Sequence, residues 1–167
     1  MILKLFATTT FGLEAVVKRE LEKLGMENIH ASDGRIDFTG DFSAVAKSNI
    51  WLRSADRVMI NFGEFEAFSF EDLFQGVKAL PWGDLLPKDA KIYVTGKSVR
   101  SQLFSVSDCQ AITKKAIVEK LKQKYAVEWF LETGAEYKIQ VGILKDTVTI
   151  AIDTTGPGLN KRGYRET

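Results

Sequence analysis

Between Lys91 and Lys124 the chain carries eight basic side chains against two acidic ones, Asp108 and Glu119, a local net charge of +6. The chemistry such a stretch can do is to hold a polyanion, above all a nucleic-acid backbone. Within it, the loop Gly96-Lys97-Ser98-Val99-Arg100-Ser101 combines hydroxyl donors with two cations. Downstream, Lys114, Lys115 and Lys122 fall in a helical pattern, and the seven-residue step from Lys115 to Lys122 puts those two on one face. If the loop lies at the start of that helix, backbone amides and the positive end of the helix dipole add to Lys97 and Arg100. Binding of this kind releases counterions and weakens with salt.

Lysines on an outward helix face are usually just solvated surface, and charge alone does not separate the two readings. What favours a site is the convergence of hydroxyl donors, cations and a helix start. The rest of the chain is near neutral or acidic: net −1 over residues 1–64, −3 over 65–90 and −1 over 125–167. The overall +1 therefore conceals a segregated charge.

Other chemistry fails. Gly96-Lys97-Ser98 matches the end of a phosphate loop, but the upstream glycine at the required spacing is missing. The single cysteine, Cys109, excludes an internal disulfide, and the single histidine, His30, is far from it in sequence. Cys109 is expected in the core as a small apolar residue, and His30 as a partly buried structural residue on a short strand. Trp51, Trp82 and Trp129 are expected in core or interdomain packing. No carboxylate pairing calls for a catalytic role and no ligand cluster suits a metal.

The 167 residues suffice for one large or two small domains, and 45% hydrophobic with 27% charged residues is an ordinary globular composition. No stretch approaches the roughly 18 apolar residues of a membrane helix. The N-terminus has Lys4 inside its apolar run, the reverse of a signal peptide. The expectation is a cytoplasmic, reduced protein with no membrane partner.

The elements that must position these residues divide into two sets, together an α+β chain. In the first, strands near 2–7, 28–31, 35–39 and 58–62 alternate with helices near 13–24 and 42–51. Asp33-Gly34 marks a tight turn, Gly25 a helix stop and Asp41 an N-cap. The order β-α-β-β-α-β predicts a ferredoxin-like domain over residues 1–64. In the second, Ser69 caps a helix broken by Pro81, and a strand at 91–95 ends at Gly96. Ser107-Asp108 caps a long helix to Tyr125, whose inward stripe includes Cys109, Ile112, Ala116, Ile117 and Leu121. Strands at 137–144 and 148–153 pair across Lys145-Asp146. Residues 156–167 read as a linker, Gly156-Pro157-Gly158, then a basic aromatic tail with Lys161, Arg162 and Arg165. A tail of this kind directly after a linker predicts that more protein follows.

Four stretches carry a family resemblance: Phe11-Gly12-Leu13-Glu14 leading to Glu20-Leu21; Gly40-Asp41; Lys97-Ser98 through Asp108-Cys109-Gln110 into Lys114-Lys115-Ala116-Ile117; and Gly158-Leu159-Asn160-Lys161-Arg162-Gly163-Tyr164-Arg165. With them the sequence resembles the N-terminal half of a THUMP-domain RNA methyltransferase. The nearest group is the large-subunit rRNA guanine-N2 enzymes, often labelled N6-adenine-specific DNA methylases. The resemblance implies a ferredoxin-like domain, a THUMP α/β domain over 65–155 that grips structured RNA, and a linker at 156–167 leading to a methyltransferase domain absent from this chain. It further implies that the full-length protein uses S-adenosylmethionine through an Asn-Pro-Pro-Tyr type motif. Neither that motif nor a glycine-rich cofactor loop occurs here, so this chain is expected to hold no cofactor and no catalytic site.

The implied RNA-binding set is Lys97, Ser98, Arg100, Ser101, Lys114, Lys115, Lys122, Lys161, Arg162 and Arg165, the last three at the RNA or, by preference, at the domain junction. Two other readings compete. One keeps the THUMP domain but attaches it to another RNA-modifying enzyme, such as a thiouridine synthase; the other is a protein-interaction module whose lysines only solubilise.

Overall fold

A computed structural model gives the fold, and the residues it describes are 2–155. The expected linker at 156–167, with Lys161, Arg162 and Arg165, lies outside the described residues. By contacts the chain divides into two compact units, one of residues up to Asn61 rejoined from Ile152, the other Phe62–Ala151.

In the first unit, β1 (Leu3–Thr8), α1 (Glu14–Lys23), β2 (Glu27–Ser32), β3 (Arg35–Gly40), α2 (Phe42–Trp51) and the start of β4 (Arg57–Glu66) follow the expected β-α-β-β-α-β order. The strand order is β2-β3-β1-β4, with β1 antiparallel to both neighbours. α1 ends because Gly25, at φ +79°, takes the left-handed position: its N–H bonds the Glu22 carbonyl and the Met26 N–H bonds the Leu21 carbonyl. Asp41 caps α2 by accepting the Ala44 N–H at 2.9 Å, as its residue type predicts. The core is built from Leu5, Val17, Leu21, Ile36, Phe38 and Ile60, all nearly or fully buried.

Phe11-Gly12-Leu13-Glu14 acquires a structural role here. Glu14 accepts the N–H of Gly12 at 2.7 Å and of Gly34 at 2.8 Å, tying the β1–α1 loop to the β2–β3 turn. Chiefly because of the Gly34 bond, its carboxyl is held below the ordinary glutamate range.

The second unit contains α3 (Phe70–Lys78), a 3-10 turn at Trp82–Asp84, β5 (Lys91–Val99), α4 (Val106–Tyr125), β6 (Glu136–Leu144) and β7 (Thr147–Asp153). The strand order is β4-β7-β6-β5, so β5 is the edge. Ser69 caps α3 through the Asp72 N–H at 3.1 Å. After Pro81 the indole of Trp82 is fully buried; its N–H reaches the Val77 carbonyl at 2.7 Å and its ring packs at a tilt against Phe62.

Several local expectations are corrected. β5 does not end at Gly96 but runs to Val99, because parallel pairing with β6 continues residue by residue to Leu144. The α4 N-cap is Ser105, two residues before the expected Ser107. His30 is exposed on β2, and Trp51 and Trp129 are 57% and 81% exposed rather than packed. Cys109 is buried as expected, and burial foremost raises its thiol above the ordinary range. Among the described residues no helix is long and apolar enough to cross a membrane.

Candidate nucleic-acid interface

The basic segment folds into strand β5, the six-residue loop 100–105 and helix α4, so the loop does lead directly into the helix start. Alternation along β5 leaves Lys91, Tyr93, Thr95, Lys97 and Val99 exposed, while Ile92 on the other face is buried. Lys97 lies beside Gly142 of β6: a Cβ added to that glycine would sit 3.6 Å from the lysine Cε. Arg100 is exposed, and its φ of +52° turns the chain out of the strand.

Ser98, near the end of β5, and Ser101 of the loop are both committed to the local architecture. Ser98 Oγ donates to the Leu103 carbonyl at 2.6 Å, and Ser101 Oγ donates to the Val99 carbonyl at 2.9 Å while accepting the Asp146 N–H at 3.0 Å. The Gln102 N–H in turn donates to Asp146 Oδ1 at 2.8 Å. These bonds join the loop to the β6–β7 turn, and they bring exposed Lys145 to the site. Sequence reading treated Lys145 only as a turn residue. Its signal was present, a cation in a two-residue hairpin, but its neighbour Ser101 is 45 residues from Asp146 in sequence.

The lysines of α4 separate into two kinds. Lys114 is paired with Glu132 at 3.1 Å, and Lys122 stands 4.0 Å from Glu119. Lys115 is exposed and, among the described residues, neither it nor Lys97, Arg100 or Lys145 takes part in an ion pair. Ten residues from Ser105 to Lys115 amount to about 15 Å along the helix, and seventeen to Lys122 to about 26 Å. The candidate residues are therefore spread along the segment rather than gathered in one cluster. Arg100 and Lys145 lie at the loop end, Lys115 midway along α4 and a partly neutralised Lys122 near its far end. Gly96 faces Gln110 of α4, so Lys97, on the alternate face of β5, lies on the other side of the strand from the helix.

Comparison with known proteins agrees with the two units. The RlmL ferredoxin-like domain family matches residues 4–59, and the THUMP domain family matches residues 67–153. The chain belongs to the THUMP family. A Bacillus subtilis protein named "Putative RNA methyltransferase YpsC" is 48% identical over 163 residues, which are 96% of this chain and 42% of that protein. The crystal structure of a "predicted N6-adenine-specific DNA methylase" from Listeria monocytogenes has 52% identity and a TM-score of 0.89, covering 99% of this chain and 43% of that one. SMU.472, a "putative methyltransferase complexed with SAH", has 48% identity and a TM-score of 0.90, covering 98% of this chain and 44% of that one. The chain thus spans less than half the length of these relatives. The basic segment lies wholly within the THUMP match.

Proposed function

We propose that this chain docks structured RNA for an S-adenosylmethionine-dependent methyltransferase that modifies guanine N2 in large-subunit rRNA. The observation that carries the reading is the set of exposed, unpaired cations, Lys97, Arg100, Lys145 and Lys115, on the THUMP unit. An RNA stem would be held by phosphates and 2′-hydroxyls, through shape and charge rather than base edges. The ferredoxin-like domain occupies 1–64, the THUMP domain 65–155, and residues 156–167 lead to the methyltransferase domain. Lys161, Arg162 and Arg165 belong to that junction, and the protein works in the cytoplasm.

S-adenosylmethionine does not fit this chain, which has neither a glycine-rich cofactor loop nor the Asn-Pro-Pro-Tyr type motif. No chemical step is assigned to its residues. A target base turned out of its stack would be methylated by the remainder of the enzyme. For Lys114 and Lys122 the solvated-surface reading is favoured, because each faces a glutamate.

The test is fluorescence anisotropy of the 167-residue chain with an rRNA-type hairpin and a matched DNA duplex across a salt series. Preference for the RNA is expected, with a log–log salt slope that flattens by about 2 in Arg100→Glu/Lys115→Glu, one unit per lost phosphate contact. Equal, weak binding to both, unchanged in the variant, would sink the proposal.

A further inference from the structure

Phe104 is 82% exposed, more than any other large hydrophobic residue among those described. It sits in the loop between β5 and α4, and its neighbour Leu103 is 5% exposed. The loop backbone is tied down on both sides of the ring. The Leu103 carbonyl accepts from Ser98 Oγ, and bonds from Lys145, Gln102 and Asp146 fasten the same turn to the β6–β7 hairpin. Ser105, the next residue, already begins α4 as its N-cap. With both neighbours fixed, the backbone at Phe104 is held while its benzyl group lies in solvent. A backbone already ordered loses little freedom when something covers the ring.

The charges around the ring define the occupant. Lys97, Arg100 and Lys145 are exposed on the strand, loop and turn that hold Phe104. The carboxylate of this turn, Asp146, is committed to the Gln102 N–H, and Asp108 stands in the first turn of α4. An exposed aromatic on a loop that carries and adjoins cations suits a flat ring carried on an anionic backbone. Bases inside an A-form stem are already stacked, so only an unpaired nucleotide can offer its face.

We propose that Phe104 is a stacking platform for one unpaired RNA base, with Lys97, Arg100 and Lys145 taking the flanking phosphates. The proposal rests on the RNA-docking reading and adds to it a preference for a stem interrupted by an unpaired nucleotide. Stacking tolerates any base, so the selectivity is for an unpaired position and not for a sequence.

The experiment compares two hairpins with the same stem, one perfectly paired and one carrying a single bulged 2-aminopurine. Anisotropy gives affinity and 2-aminopurine fluorescence reports stacking. The bulged hairpin should bind about tenfold tighter, with quenching on saturation. Phe104→Ala should reduce it to the affinity of the paired stem and abolish quenching, while Phe104→Trp should retain both. Paired-stem affinity should be the same in all three proteins.

Equal weakening of both hairpins by Phe104→Ala, or no effect on either, overturns the stacking role while leaving docking intact. Loss of self-association in Phe104→Ala at unchanged RNA affinity also overturns it and assigns the ring to a protein contact. If neither hairpin binds the unaltered chain, the docking reading itself fails and the stacking role with it.

Discussion

The Glu132 carboxylate accepts the Ile92 N–H at 2.9 Å, across forty residues of sequence, and the same group pairs with Lys114. One side chain thus occupies an outward N–H of edge strand β5 and neutralises a cation that the charge pattern alone assigns to RNA.

Glu132→Gln should release Lys114. Affinity for an RNA hairpin is expected to rise about threefold and the salt slope to steepen by about 1, the signature of one added phosphate contact. Thermal stability should change by about 1 kcal/mol at most, since both side chains are about a third exposed or more. An unchanged slope would keep Lys114 outside the RNA footprint.

Glu14 should make stability depend on pH. Its folded pKa is depressed by the Gly34 and Gly12 N–H groups, so its contribution is complete above the unfolded value, about 4.3, and is lost as pH falls through the lower folded value. Melting temperature measured from pH 7 down to pH 3 should show a loss in Glu14→Gln at neutral pH that closes in acid. Parallel curves for the two proteins would contradict this.

How far these features are legible in the sequence depends on how local their causes are. Asp41 and Ser69 were readable as caps because an N-cap needs only the next three residues. Gly25 was readable as a stop for the same reason. The burial of Cys109, Ile117 and Leu121 followed from helical periodicity. The extension of β5 to Val99 was not readable, because its cause is pairing with β6, about 45 residues away. The pairing of Lys114 with Glu132, eighteen residues on, is likewise not local. Phe104 drew no reading from the sequence, because the bonds that tie down its loop reach the β6–β7 turn more than forty residues away.

Arg57 and Asp153 offer an asymmetric test. Asp153 is 3% exposed and accepts Arg57 at 2.6 Å and both the N–H and hydroxyl of Thr155, whereas Arg57 is 59% exposed. Arg57→Met leaves a buried carboxylate short of its cation and should cost about 2–3 kcal/mol by urea unfolding. Arg57→Met/Asp153→Asn, which removes both charges, should cost less than the single change. A double variant worse than the single would show that hydrogen bonding by the carboxylate, not its charge, dominates.

Ala126 ends α4 in the left-handed region at φ +53°, while the Val127 N–H bonds the Lys122 carbonyl. A side chain is strained there and glycine is not. Ala126→Gly should stabilise the chain by about 0.5–1 kcal/mol in chemical denaturation, since the relief outweighs the added freedom of the unfolded glycine. A decrease would mean that the Ala126 methyl makes contacts worth more than the strain.

Arg57 and Val58 meet Asp153 and Thr154 within the first unit, where the Thr154 hydroxyl donates to the Val58 carbonyl at 2.7 Å. Their codons are separated by the whole of the second unit, the ninety residues Phe62–Ala151. On a ribosome adding about 5–20 residues per second, the first unit waits about 5–18 s for its closing residues. All residues of the second unit are therefore synthesised before those that seal the first, so the unit begun first is the one completed last.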